Sequence, residues 1–455
     1  MNQLLFVALK NRIHDLRGTA PGYISALASG YLLMLSNILV QFALTPFYLK
    51  YLGDHQFGLL MIMLNMITFS AIGIGWMSGG LVRVFGEYWA TSRYDRLRIA
   101  SAVGKYVFTT YALFMAAVGI VVWLVSKGSA SNHGAYLSSI ILAISYLIVN
   151  YEALPERQAF VGTNQQATGN YIELVRTILF AVATFLLLPQ LESMSAVWIA
   201  LMCAVLLQRG INARYWKKRV GGMGWRRYTP EMKPILKRLA GRQGAGYIIY
   251  GALLLLLQAD TIIIGLIGSS EAAGQFVLLW KIPEAIGLLL WRIPSAMEPR
   301  VIQLDVSGQH ENLYGVFKSG RRWFSMLVVI VAFIYILTGH WLAEMWVGDH
   351  APQERWMYVA GGFALLFSSS ARWPIAFAHA LIKLRGLIMM ATVELISKLS
   401  LTVMLYPKVG IAAPLVAIII THSFYVAWGY QRIMKCESNL RAAENDRGLV
   451  SGLDP

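Results

Sequence analysis

One apolar run of this chain reads Trp323-Phe-Ser-Met-Leu-Val-Val-Ile-Val-Ala-Phe-Ile-Tyr-Ile-Leu-Thr-Gly-His-Trp341. It contains no Asp, Glu, Lys or Arg, and a helix of about 20 such residues spans the roughly 30 Å hydrocarbon core of a bilayer. Immediately before the run stand Arg321 and Arg322, whereas Glu344 and Asp349 follow it. The run is therefore predicted to be a transmembrane helix with one basic and one acidic end.

Similar apolar stretches recur along the whole sequence. The chain is 57% hydrophobic and 14% charged, which is not the composition of a soluble protein. We therefore predict an all-α integral membrane protein with twelve transmembrane helices. The predicted spans are approximately Gly22–Tyr48, Phe57–Val82, Ser101–Val125, Ala135–Ala153, Thr168–Leu188, Met194–Gln208, Gly244–Ile267, Ala272–Met297, Trp323–Trp341, Met357–Leu381, Gly386–Leu405 and Gly410–Tyr430.

Basic residues are concentrated in alternate loops, such as those around Arg96, Lys217, Arg322 and Lys383. Lys and Arg beside spans mark the cytoplasmic side. With an even number of spans, both termini are then cytoplasmic, in the inner membrane of a bacterium. The net charge of +16 is therefore a topology signal and a contact with lipid headgroups, and no nucleic-acid partner is expected.

The longest basic loop divides the spans into two groups of six. The predicted segments are 1–18, an interfacial segment; 19–208, the N-terminal half; 209–243, a basic cytoplasmic linker; 244–432, the C-terminal half; and 433–455, a cytoplasmic tail. Six is an even number, so both halves begin on the same side of the membrane. Parallel halves of this kind are typical of transporters that bind substrate in a central cavity and work by alternating access.

A short internal repeat supports the division. Gly53 opens a polar stretch that leads into a helix at Gly58, and Gly268 opens a similar stretch that leads into a helix at Gly274. The alternative is chance similarity between two apolar sequences.

The eighth predicted span carries the most intramembrane charge. Its Lys281, Glu284 and Arg292 lie at offsets of 3 and 11 residues, which place them on one helical face. A charged side chain at this depth in the membrane needs an oppositely charged partner or a water-filled cavity. Either Lys281 and Glu284 form a structural i,i+3 pair or they line a cavity; Arg292 is predicted to bind substrate.

Further polar residues inside the predicted spans are candidate substrate ligands. Arg372 in the tenth span is one of them. Asp260 in the seventh span is a lone acid: it is either an ion-coupling residue, as Glu284 could also be, or the counter-ion to Lys281. Glu173 with Arg176, and Glu394 with Lys398, have the spacing of structural pairs. The remaining candidates are Arg83, Asn37, Gln41 and Asn65.

When the evident pairs are set aside, the charged residues left inside the predicted spans are mostly basic. They are Arg83, Arg292 and Arg372, with Asp260 as the one acid. Arginine binds phosphate oxygens through two parallel hydrogen bonds and keeps its proton. The charge pattern therefore favours an anionic substrate such as a diphosphate.

The segment from Pro46 to Leu60 carries a resemblance. It contains a Leu-Gly pair at Leu52 and Gly53, three polar residues, and an aromatic-Gly pair at Phe57 and Gly58. With its length and six-plus-six spans, the chain resembles a Wzx-type lipid-linked oligosaccharide flippase of the multidrug/oligosaccharidyl-lipid/polysaccharide (MOP) superfamily. The resemblance implies transfer of undecaprenyl-diphosphate-linked oligosaccharide from the cytoplasmic to the periplasmic leaflet, for O-antigen, capsule or exopolysaccharide assembly. It also implies a monomeric transporter without cofactor that works beside a polymerase and a chain-length regulator.

Two other functions remain alternatives. A multidrug antiporter of the same superfamily would carry uncompensated acids in its cavity. A membrane glycosyltransferase or polymer ligase would need a large extramembrane loop with acid/base residues, and the loop around His340–Trp356 is short. No catalytic residue, metal site or Gly-x-x-x-x-Gly-Lys phosphate loop is predicted.

Overall fold

The computed structural model describes residues 21–125, 133–225, 229–240, 259–381 and 384–423. Within these ranges every regular element is a helix, and none is a strand. The predicted interfacial segment 1–18, the tail 433–455 and most of the start of the seventh span lie outside the described residues. The helices are α1 Pro21–Ser70, α2 Ile72–Ala90, α3 Tyr94–Val125, α4 His133–Glu152, α5 Leu154–Gly162, α6 Gln166–Leu191, α7 Met194–Val220, α8 Met232–Ala240, α9 Ser270–Val306, α10 His310–Val347, α11 Arg355–Ser370, α12 Arg372–Ala380, α13 Leu384–Val409 and α14 Ala413–Thr421.

The helices are long and apolar enough for a membrane. Seven stretches of the described residues meet both conditions, and some of these contain two predicted spans, such as Ser25–Ser70 and Met389–Thr421. The eighth predicted span is not among the seven; it lies in α9, which carries Lys281, Glu284 and Arg292.

Helix α10 shows how the apolar residues divide between core and lipid. Val328 and Tyr335 are buried, whereas Phe333, Leu337 and Trp341 are more than half exposed. An exposed row of large apolar side chains is costly in water and is favourable in hydrocarbon. The protein is therefore a multi-pass membrane protein.

The chain forms two compact units. Unit 1 comprises residues 1–53 and 73–244, and unit 2 comprises residues 54–72 and 245–455. In unit 1, helix α7 continues through the start of the predicted linker to Val220, and α8 occupies part of the rest. The boundaries of the predicted halves stay a prediction, but residues 54–72 pack with unit 2.

The loop predicted at Gly53 is a single-residue break inside α1. Gly53 has φ 68° and ψ 172°, a conformation open almost only to glycine. A side chain there would meet nothing within 4 Å, so the constraint is conformational. The helix resumes directly after the break, at the first residue of unit 2.

The two repeat-related helix starts pack against each other within unit 2. A Cβ on Gly274 would lie 3.2 Å from the Cα of Gly58, and a Cβ on Gly58 would overlap the carbonyl oxygen of Ser270. The backbones approach so closely because neither glycine has a side chain. The paired glycines that suggested a repeat therefore form a helix crossing.

Glu271 beside this crossing gives unit 2 an acid-dependent contact. Its carboxylate contacts His55 Nδ1 at 2.5 Å. A hydrogen bond from its own backbone N–H, with others from His55 and Ser269, lowers the pKa of Glu271 from 4.5 to about 2.

A lowered pKa stabilises the folded state above the unfolded value and loses that stabilisation as the pH falls. We expect the thermal stability of the wild type to fall between pH 4.5 and 2 more steeply than that of Glu271→Gln. Unfolding temperatures of the two proteins across this window measure the difference. Parallel curves would contradict the assignment.

Candidate functional site

The clearest cationic site in unit 2 lies where α9 meets the start of α12. The tenth predicted span is broken at Ala371, so Arg372 is the first residue of α12. Its guanidinium carbon lies 3.5 Å from the ring centroid of Trp291 on α9. This is the geometry of a cation–π contact.

Arg292 is the next residue after Trp291, and it is exposed. One predicted arginine ligand thus contacts the indole of Trp291, and the other is the next residue along α9. Trp373 follows Arg372 in the sequence, but it is only 3% exposed and packs in an apolar cluster with Phe324 and Phe377. The stacking partner comes from a distant helix, which sequence adjacency does not reveal.

Lys281 and Glu284 form the predicted structural pair. Their charged atoms lie 3.1 Å apart, and the two side chains are 22% and 23% exposed. Lys281 precedes Arg292 by 11 residues, or about 16 Å along a helix. The pair shares a helix with the Trp291 site and lies about three turns from it.

Asp260 is not a lone acid. Its Oδ2 accepts a hydrogen bond of 2.6 Å from Lys398 Nζ, and both side chains are 3% exposed. The counter-ion is thus Lys398 on α13 and not Lys281, because helix packing decides which charges meet. One turn earlier on α13, Glu394 contacts His422 Nε2 at 3.2 Å.

The other predicted ligands have local roles. Arg83 is 71% exposed and contacts Glu87. Long basic side chains near the end of a span commonly extend toward the aqueous interface in this way. Asn37 accepts a hydrogen bond from Thr177 at 2.8 Å, and Gln41 is exposed. Asn65, in unit 2, donates to a backbone carbonyl one turn earlier in its own helix. None of these contacts places them with the arginines.

A half-buried polar group in unit 1 was not predicted from the sequence. Arg157 on α5 contacts Glu173 at 3.2 Å and the side chain of Asn150 at 2.8 Å. Glu173 also contacts Arg176 at 2.6 Å, which is the predicted pair. Arg157 lies in the connection between two predicted spans, so a search for charges inside the spans did not include it.

Each carboxylate inside the described predicted spans contacts a basic side chain. The partners are Arg209 for Glu152, Arg157 and Arg176 for Glu173, Lys398 for Asp260, Lys281 for Glu284, and His422 for Glu394. Arg292 and Arg372 are further basic residues of these spans. The described residues of the predicted spans therefore carry six Lys or Arg side chains and five Asp or Glu side chains.

No family model matches the sequence, and no curated protein sequence matches it either. Solved structures do match. One is described as the inward-facing conformation of a multidrug resistance MATE family transporter of the MOP superfamily, with a TM-score of 0.69 at 11% identity over 91% of this chain and 99% of that chain.

Two further structures are similar in the same way. A point mutant of the Vibrio cholerae MATE transporter VcmN has a TM-score of 0.59 at 14% identity, over 92% of this chain and 98% of that one. The eukaryotic MATE transporter AtDTX14 has a TM-score of 0.59 at 12% identity, over 98% and 96%. These likenesses confirm the predicted fold class: the chain has the all-α, twelve-helix membrane fold of MATE transporters of the MOP superfamily.

Proposed function

We propose that the protein is a flippase that transfers undecaprenyl-diphosphate-linked oligosaccharides from the cytoplasmic to the periplasmic leaflet of a bacterial inner membrane. The single observation that carries the proposal is the pairing of the intramembrane acids in the described residues. Asp260, Glu284 and Glu394 of unit 2 each contact a basic side chain. Arg372 contacts the ring of Trp291, and Arg292 is the residue after Trp291.

Arginine side chains suit a diphosphate. The guanidinium fork donates two parallel hydrogen bonds to phosphate oxygens and stays charged. Contact with the indole of Trp291 adds a cation–π attraction that orients Arg372. These residues would bind the diphosphate, while the polyprenyl chain stays in lipid.

The driving force need not be ATP. Because the cytoplasm is electrically negative, the outward movement of each negative charge lowers the free energy by about 2.3 kcal/mol per 100 mV of membrane potential. Asp260 and Glu284 are the candidate residues for coupling to a proton or sodium ion. Because each already holds a lysine, a coupled cation would have to displace an ammonium group.

The test is export of surface polymer in a bacterial host that lacks its own flippase. At equal expression, the wild type should restore polymer, Arg372→Ala should lower it at least tenfold, and Arg372→Lys should keep an intermediate amount. The reason is that lysine retains the charge but lacks the fork. Polymer is measured by blotting surface extracts.

A matched control is Arg322→Ala, which removes an exposed arginine at the predicted cytoplasmic end of α10 and should export normally. Normal export by Arg372→Ala would remove Arg372 from the substrate site. Failure of the wild type across several polymer backgrounds would contradict the flippase proposal.

The second candidate function is a multidrug antiporter, because the similar solved structures are described as multidrug and MATE transporters. Drug resistance of the same host strains distinguishes the two. Protection against cationic drugs without polymer export would favour the antiporter.

A further inference from the structure

Unit 1 has an exposed basic surface where α3 begins, α7 ends and α8 packs. Seven exposed Lys and Arg side chains lie there, and none of them contacts a carboxylate of the described residues. They are Arg93 before α3, Arg214, Lys217, Lys218 and Arg219 on α7, and Lys233 and Lys237 on α8. We refer to these seven residues as the α7–α8 basic surface.

The carboxylates that the structure describes at this end of unit 1 already contact other basic side chains. The pairs are Glu87 with Arg83 and Arg238, Asp95 with Arg98, Glu152 with Arg209, Glu156 with Lys105, and Glu231 with Arg96. The charge of the basic surface is therefore left for a partner outside the described residues to neutralise.

Contacts between helix ends bring these cations together. Arg98, near the start of α3, lies 3.0 Å from the position of a Cβ on Gly221, the residue after α7. Arg96, also near the start of α3, contacts Glu231, the residue before α8, at 3.5 Å. The start of α3 thus contacts the end of α7 and the start of α8, so the cations of the three segments form one surface.

Helix α8 turns its basic side outward because its apolar side is already covered. Met232, Ile235 and Leu239 have the three- and four-residue spacing of one helix face, and each is at most 4% exposed. This face packs within unit 1, where α8 contacts α3. Lys233 and Lys237 are exposed, so α8 offers positive charge to a partner and keeps its apolar face for the protein.

The end of α7 reaches the depth of the lipid headgroups. The helix has 27 residues, or about 40 Å, whereas the hydrocarbon core takes about 30 Å, or roughly 20 residues. Counted from Met194, the core ends near Ala213. The exposed side chains change in the same region, from Leu206 and Leu207 to the cations that begin at Arg214.

Exposed apolar side chains are interleaved with the cations. Trp225, shortly after α7, is 45% exposed, and its indole N–H donates to Glu152 at 2.6 Å. Leu236 lies between Lys233 and Lys237 on α8 and is 37% exposed. Tryptophan is enriched at headgroup depth. Cations mixed with exposed apolar groups suit a phospholipid, which has a charged headgroup above an acyl chain, better than they suit a soluble anion.

We propose that the α7–α8 basic surface binds the phosphate groups of anionic phospholipids in the cytoplasmic leaflet. The charge pattern predicts that this end of unit 1 faces the cytoplasm, and anionic lipids attract basic segments beside a membrane. Lys and Arg beside any span attract such lipids to some degree. This surface is distinguished by cations from three segments that lie together, have no carboxylate contact and reach headgroup depth. The inference does not depend on the transported substrate.

The test measures lipid binding to the purified full-length protein by native mass spectrometry in a neutral detergent. Phosphatidylglycerol and phosphatidylcholine with the same acyl chains are added separately. The wild type should bind phosphatidylglycerol at least tenfold more tightly than phosphatidylcholine. The variant Lys217→Gln/Lys218→Gln/Lys237→Gln should lose at least tenfold in affinity for phosphatidylglycerol, because three positive charges are removed. It should keep its affinity for phosphatidylcholine.

Two control variants make the result specific. Lys217→Arg/Lys218→Arg/Lys237→Arg keeps the charge and should bind like the wild type. Lys318→Gln/Arg321→Gln/Arg322→Gln removes the same amount of charge from the predicted cytoplasmic end of unit 2 and should stay within twofold of the wild type. Equal losses from the two glutamine variants would show a diffuse attraction to all basic loops and would overturn the proposal.

Competition experiments identify the kind of anion. Glycerol 3-phosphate carries the phosphate group without acyl chains, and a large excess of it should leave phosphatidylglycerol bound. Its displacement of the lipid would overturn the proposal in favour of a site for soluble anions. Polyglutamate that binds more tightly than phosphatidylglycerol would overturn it in favour of an acidic protein partner, and a wild type with no preference for phosphatidylglycerol would overturn it outright.

Discussion

Lys398→Met should destabilise the protein by about 3–5 kcal/mol, because it leaves a carboxylate buried without its cation. Lys398 and Asp260 are 2.6 Å apart, and each side chain is only 3% exposed. Oδ1 of Asp260 has no hydrogen bond from the described residues, so Lys398 is the carboxylate's main support. Thermal unfolding of the purified protein in detergent measures the loss.

Two further variants make the result specific. The double variant Lys398→Met/Asp260→Leu should recover most of the stability, since an apolar pair of similar volume tolerates burial. Lys281→Met removes a lysine from a pair that is 22% and 23% exposed, and its effect should be clearly smaller. Equal effects of Lys398→Met and Lys281→Met would contradict the importance of burial here.

Gly58→Ala should have a second large effect, a loss of about 3 kcal/mol or more from overpacking. The added Cβ would overlap the backbone carbonyl of Ser270, and a backbone atom in a helix start cannot rotate away as a side chain can. The two helix starts in unit 2 would have to separate. The yield of folded protein and its melting temperature both report this change.

Gly119→Ala is the control for that substitution. Gly119 lies in α3, and a Cβ there would meet nothing within 4 Å. Alanine in a helix interior is better than glycine by roughly 0.5–1 kcal/mol, so this variant should be as stable as the wild type or slightly more stable. A Gly58→Ala protein that melts like Gly119→Ala would show that the crossing at Gly58 is looser than described.

Hydropathy and charge were sufficient to predict the fold class. Each predicted span needs only a count of apolar residues, and the similar solved structures confirm an all-α, twelve-helix membrane fold. The break at Gly53 was also foreseeable, because a glycine among polar residues interrupts two apolar runs. The length of the break was not foreseeable: it occupies one residue, whereas a loop was predicted.

The candidate site was less predictable because partners on different helices are chosen by packing. Spacing along one helix correctly paired Lys281 with Glu284, and Glu173 with Arg176. It could not pair Asp260 with Lys398, which are 138 residues apart. It also could not choose Trp291 over Trp373 as the partner of Arg372, because helix rotation about its axis leaves no trace in composition.

The membership of residues 54–72 in unit 2 has a consequence for how the protein can be divided. The chain changes unit at residue 53, at residue 72 and at residue 244, so neither unit is one continuous piece of sequence. A gene cut in the basic linker would produce a first fragment that still carries a segment of the second unit. If halves were exchanged between related transporters, the contacts within unit 2 would be kept only if residues 54–72 were exchanged together with residues 245–455.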